Sequence, residues 1–254
     1  MKVYLINLDR HPDRLAHMRE QLGRIAFERI AAIDGTKTPL TTKKGLSRYE
    51  LACLESHKSA WRRFLNGQDR HACFLEDDLH IWPDFSALVR DEAWIPRDAH
   101  SVKLDTYFQE VKLGDKRAAF GDRQVARLHT RHQSSAAYLL TREGAARYLE
   151  LTANPSLPAD YSLFPKNPRR VGLCIYQLIP AIAIQDHLRR TEDGARAFGT
   201  AMAGGRSAPQ PRRSPSLKKL AREGARLVVQ LTDLREAAYQ KAFLRLETTT
   251  VSVR

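Results

Sequence analysis

Two short apolar runs, residues 2–8 and 27–33, flank a segment of helical spacing, and this order constrains the fold more than anything else in the chain. Residues 2–8 are rich in β-formers and stop at Asp9, Arg10, His11 and Pro12, as a buried strand entering a loop does. Pro12 suits a first helical turn, and Leu15, Met18 and Leu22 recur along one face of a helix predicted over residues 13–22. Residues 27–33 read as a second strand, closed by Asp34-Gly35. Strand, helix, strand opens an α/β domain.

The pattern continues. Ser47, with Glu50 three residues later, has capping-box spacing and starts a helix through Leu51, Leu54, Lys58, Trp61 and Leu65. A strand over residues 71–75 then delivers Glu76, Asp77 and Asp78 at its C-terminal end. Further strands are expected over 101–104, 124–129, 135–140, 172–175 and 181–185, with a helix over 141–151. Four prolines punctuate the stretch around Asp160. Residues 1–188 form the compact domain on this reading. Residues 189–216, rich in Gly, Ala, Pro, Ser and Arg, are expected to be a flexible basic linker, and 217–254 a basic amphipathic helical appendage.

A chain of 254 residues can bury a substantial core unaided. Three widely spaced cysteines suggest neither a disulfide framework nor a CxxC site, which favours a reducing, cytoplasmic setting. The N-terminal apolar run is too short for a signal-peptide core, and no window approaches the roughly 20 apolar residues of a membrane span. Of a net charge of +13, +8 lies in residues 189–254, where fourteen lysines and arginines face six acidic residues. Such a segment can dock peripherally on an anionic membrane surface, pack on its own domain, or pair with a second copy in a homodimer. Its cations are not interleaved with aromatic residues, which argues against a nucleic-acid partner.

Glu76, Asp77 and Asp78 carry the sharpest chemistry. Three consecutive carboxylates at the end of an apolar strand repel one another, and a hard divalent ion, Mg²⁺ or Mn²⁺, relieves that repulsion while a substrate phosphate completes its sphere. Extended backbone would put Glu76 and Asp78 on one side and Asp77 on the other. A solvated acidic turn is the plainer alternative. Its placement after a strand favours the ligand crevice of an α/β sheet. Arg10 and Arg14, just beyond the first strand, have the guanidinium geometry to clamp a diphosphate. A metal-dependent nucleotidyl or phosphoryl transferase, or a non-enzymatic basic binding protein, would also fit these features.

The ordered series YLINLDRHPDR, AAIDG, LSRYELACLESHKSAW, FLEDDL, SSAAYLLTREGAARYL, PADYSLF and YQLIPAIAIQ resembles glycosyltransferase family 25, across residues 1–185. The resemblance implies a GT-A-type nucleotide-diphosphosugar transferase fold with a Rossmann-like mixed sheet. It also implies an inverting β-galactosyltransferase that uses UDP-galactose and a lipopolysaccharide or lipooligosaccharide acceptor. Glu76-Asp77-Asp78 then corresponds to the DxD motif, with Asp78 and Glu76 at the metal and Asp77 beside the donor. Asn7, Arg10, Arg14 and His57 match donor-side motifs. An inverting transfer needs a base for the acceptor hydroxyl, for which Asp160 is the first candidate and Asp105 the second, though either could be a helix cap. His57 could instead be a core histidine, and Cys53 reads as a packed residue.

Overall fold

In a computed structural model the chain is described at residues 1–37, 45–189, 198 and 244–253. The elements run β1 (Lys2–Asn7), α1 (Pro12–Leu22), β2 (Glu28–Ala31), α2 (Arg48–Leu65), β3 (His71–Glu76), β4 (Leu79–Ile81) and α3 (Phe85–Arg90). They continue with β5 (Ser101–Lys103), β6 (Glu110–Ala118), β7 (Gln124–Leu128), β8 (Ala137–Thr141), α4 (Arg142–Leu151) and α5 (Ala159–Leu163). The last are β9 (Ile175–Ile179), β10 (Ala183–Gln185) and β11 (Glu247–Thr250).

Nine strands form one mixed sheet in the order β11-β6-β7-β9-β5-β8-β3-β1-β2, and β10 pairs with β4 in a small antiparallel ribbon. Strands β2, β1 and β3 are parallel neighbours, while β8 runs antiparallel between β3 and β5. The chain leaves β1 for β2 on one side and returns as β3 on the other, so the gap between β1 and β3 is a topological switch point. Ligands of open α/β sheets bind outside the strand C-termini at such a point.

Both faces of the sheet are covered, which explains why β1 and β3 are apolar without alternation. Tyr4, Ile6, Phe74 and Tyr138 pack toward Leu54, Trp61 and Phe64 of α2 and toward Ala145 and Tyr148 of α4. Val3, Leu5, Cys73 and Leu75 face the opposite layer, with Met18 and Leu22 of α1 and Leu88 of α3. On the α2 face the register aligns Tyr4, Phe74 and Tyr138 across three strands, with stacked rings 5.5 and 5.3 Å apart. The capping box of α2 forms as its spacing predicts: Ser47 accepts the Glu50 amide and Glu50 accepts that of Ser47.

Two expectations are corrected. The strand expected over 172–175 begins only at Ile175, because Gly172, at φ +71°, terminates a 3₁₀ turn over Arg169–Val171. The linker and most of the terminal helix lie outside the described residues. Where the chain is described again, residues 247–250 are not helical. Leu246 ends the helical leucine spacing, and the threonine-rich run that follows suits a strand, which adds to β6 as β11. No helix among the described residues is long and apolar enough to cross a membrane.

Candidate active site

A cavity of about 900 Å³ opens at the switch point. Its walls come from the ends of β1 and β3, the inner face of α2, the Gln133–Ser135 turn, the start of α5 and the end of β10. Arg10, Arg14, His57, Glu76, Asp77, Asp78 and Asp160 all line it. Asn7 and Asp105 do not.

The acidic turn divides its labour. Asp77 takes Arg14 Nη1 at 2.9 Å and Asn7 Nδ2 at 2.7 Å, so its charge is neutralised beneath the cavity. Arg14 also lies 3.7 Å from Asp78 and is 4% exposed. It therefore braces the turn, and like Arg10 it lines the cavity. Asn7 is likewise committed: its amide nitrogen also reaches His11 O, and its oxygen accepts from Arg29. Arg10 sits on the wall with Asp34 3.4 Å away.

Strand β3 ends at Glu76 and Asp77–Asp78 form a turn rather than the extended backbone expected, yet Glu76 and Asp78 converge on one group, Gln185 Nε2, at 3.5 and 3.3 Å. Burial, then the nearby Glu76 carboxylate, pushes the Asp78 carboxyl well above the usual carboxylate range. Burial would raise Glu76 too, but hydrogen bonds from His57 and Ser135 outweigh it and hold Glu76 below its ordinary value. Two hard oxygen donors on one side of the cavity, with anionic charge exceeding what Arg14 compensates, fit a Mg²⁺ or Mn²⁺ ion held by Glu76 and Asp78.

A chain of hydrogen bonds fixes the orientation of Glu76. Trp61 can only donate, and it donates to the Tyr138 hydroxyl at 2.8 Å. The Tyr138 hydroxyl is in turn hydrogen-bonded to His57 Nδ1, also at 2.8 Å. The other ring nitrogen, Nε2, faces the acceptor-only carboxylate of Glu76, with Oε1 3.2 Å away. Ser135 Oγ donates to the same oxygen at 2.8 Å. His57 is thus buried at the wall with both nitrogens engaged, a positioning residue for Glu76. Cys53, one helical turn earlier, places its sulfur within 4.8 Å of ligand atoms of His57 and Glu76. Burial and Glu76 push its thiol far up, which keeps it neutral, in line with a packed residue.

The two base candidates separate. Asp105 is completely buried, held by Lys103 Nζ at 2.7 Å and by the Ser134 hydroxyl, and no acceptor can reach it there. Asp160 lies in the first turn of α5 on the cavity wall, its Oδ1 accepting the Tyr161 amide at 2.9 Å. It takes a helix-terminal hydrogen bond and faces the cavity as well. Gln185, Ser134 and Ser135 escaped the sequence reading, although each lies in a quoted motif. The only signal was a polar residue at the border of an apolar run.

Comparison with known proteins gives the family. The family model described as "Glycosyltransferase family 25 (LPS biosynthesis protein)" matches residues 1–163. The chain is 26% identical over 223 residues to lacto-N-neotetraose biosynthesis glycosyltransferase LgtB of Neisseria gonorrhoeae, covering 79% of this chain and 80% of that protein. It is 28% identical over 179 residues to LgtE of Neisseria meningitidis serogroup B, covering 66% and 61%. Against LgtE of Neisseria gonorrhoeae it is 24% identical over 208 residues, covering 73% and 74%. With the match spanning more than half its length and the acidic turn at its switch point, the chain belongs to glycosyltransferase family 25.

Proposed function

We propose that this glycosyltransferase moves galactose from UDP-galactose, with inversion, onto a lipopolysaccharide or lipooligosaccharide glycan. One observation carries the reading: a single cavity holds the Glu76–Asp78 carboxylate pair and, on the α5 wall, Asp160. In the step proposed, the acceptor hydroxyl oxygen bonds to the anomeric carbon and its proton passes to Asp160. The bond from that carbon to the phosphate oxygen breaks, and its electrons leave with UDP. A single displacement turns the α-linked donor into a β-linked product. A Mn²⁺ or Mg²⁺ ion at Glu76 and Asp78, when bound, offsets the charge gathering on the leaving diphosphate. Arg10 adds a cation on the same wall, and the Trp61–Tyr138–His57 chain keeps Glu76 in place. The basic stretch 189–254 would bring the enzyme to the anionic membrane surface where lipid-linked acceptors are presented.

The test is a panel of UDP-, GDP- and CMP-sugars, with and without Mn²⁺, with the anomeric configuration of the product read by NMR. UDP-galactose with Mn²⁺ should give a β-galactoside. Asp160→Asn should lower kcat by about 10²–10⁴-fold at nearly unchanged donor affinity. An α-linked product rules out single displacement, an undiminished rate in Asp160→Asn removes it as base, and preference for another sugar nucleotide removes the galactosyl assignment.

A further inference from the structure

The buried ion pair Lys103–Asp105 has no role in the transfer, and isolated pairs of this kind seldom stabilise a fold on balance. Its hydrogen bonds lead into the site. The Lys103 ammonium has only hydrogens to give, and it gives them to Asp105 Oδ1 and to Ser134 O, each at 2.7 Å. The Asp105 carboxylate has only lone pairs, so Ser134 Oγ donates its one hydrogen to Asp105 Oδ2. Ser134 is held for this at φ +79°, a left-handed backbone that serine seldom adopts. Its oxygen is left able only to accept, and it accepts the Ala136 amide at 3.2 Å.

The next neighbour of Ser134 Oγ is the Gln185 amide, 3.0 Å away. The two ends of that amide are interchangeable in shape and opposite in hydrogen bonding. With the nitrogen toward Glu76 and Asp78, Gln185 Oε1 meets Ser134 Oγ with no hydrogen between them. With the ends exchanged, the nitrogen satisfies Ser134, and the carbonyl oxygen joins Glu76 Oε2 and Asp78 Oδ1 in one cluster of three oxygens. A divalent cation among those oxygens satisfies every group at once.

We propose that Gln185 is a third oxygen ligand for the divalent ion, and that the Lys103–Asp105–Ser134 chain exists to turn its carbonyl toward the metal. The proposal rests on the metal reading of Glu76 and Asp78. Lys103 and Asp105 are positioning residues here, each acting through the next.

The experiment is a Mn²⁺ titration of the full chain without nucleotide, followed by electron paramagnetic resonance, with thermal melts to verify folding. Ser134→Ala should weaken Mn²⁺ binding by about 10–100-fold, as loss of an outer-sphere partner does. Gln185→Leu should weaken it at least as much. Wild-type Mn²⁺ affinity in a folded Gln185→Leu protein, alongside lost affinity in Asp78→Asn, overturns the role of Gln185 and leaves the Glu76–Asp78 site standing. No Mn²⁺ binding by the wild type, or undiminished binding in Asp78→Asn, overturns the metal site and this proposal with it.

Discussion

His132 supports the cavity from behind. Its Nε2 accepts the backbone amide of Tyr107, a wall residue, at 3.1 Å, so its hydrogen is on Nδ1, donated to Gln177 Oε1 at 2.7 Å. The ring is entirely buried. Burial, with Lys103 nearby, pushes it down to about 3, since a charged imidazolium would forfeit the Tyr107 bond and gain no solvent. A histidine depressed in the folded state is neutral there and protonated in the unfolded chain between its two values. Its stabilising contribution is therefore complete above about pH 6.5 and declines as pH falls from there toward 3. The full contribution is on the order of a few kcal/mol. Thermal melts from pH 7.5 to 4.5 should show a falling Tm whose slope is much reduced in His132→Gln, which keeps a polar partner and cannot charge. Parallel slopes in the two proteins would remove His132 as the source of the acid sensitivity.

At the scale of elements, the first turn of α4 lies against the backbone just before β5. A Cβ built on Gly144, in that turn, would stand 1.9 Å from His100 O, a backbone atom that cannot move aside. Gly144→Ala should therefore destabilise despite alanine's better helix propensity, by about 3 kcal/mol or more, the range of severe overpacking. Gly121, with open space around its Cβ position but φ +53°, should lose far less on the same change. Denaturant midpoints decide it: a Gly144→Ala midpoint equal to that of Gly121→Ala would show that α4 can slide away. What sequence could reveal divides along the same physical line. Strands β1 and β3 and helix α2 were legible because burial or a capping box wrote an unbroken pattern into them. Strand β6 was not: it is an edge-side strand in which only Val111 and Leu113 are buried, so charged residues mask its alternation. In the site, the acidic turn announced itself through adjacent charges. The Lys103–Asp105–Ser134–Gln185 chain could not, because its members are distant in sequence and meet only when β5 and β10 fold together.

At the scale of the whole molecule, the end of the chain fastens the wall of the cavity. Strand β11 pairs with β6, covering an edge that would otherwise offer unpaired backbone groups. Val251 is buried, its carbonyl accepts the Thr106 hydroxyl at 2.7 Å, and Ser252 O accepts the Ala181 amide at 2.8 Å. Thr106 precedes Tyr107 on the wall, and Ala181 precedes β10, which carries Gln185. One short segment thus ties two cavity elements that are some 70 residues apart in sequence. Removing residues 247–254 forfeits about 2 kcal/mol of apolar burial at Val251 and about 1 kcal/mol for each of these two hydrogen bonds. At about 2–4 °C per kcal/mol for a domain of this size, Tm should drop by about 10 °C. Thr106→Val, which keeps the strand and deletes one hydrogen bond, should reproduce about a quarter of that fall. Because both tied elements line the cavity, the truncated enzyme should also show weaker donor binding at temperatures where it remains folded. A truncated protein with wild-type Tm and donor affinity would mean that the sheet and the cavity wall hold their shape without this strand.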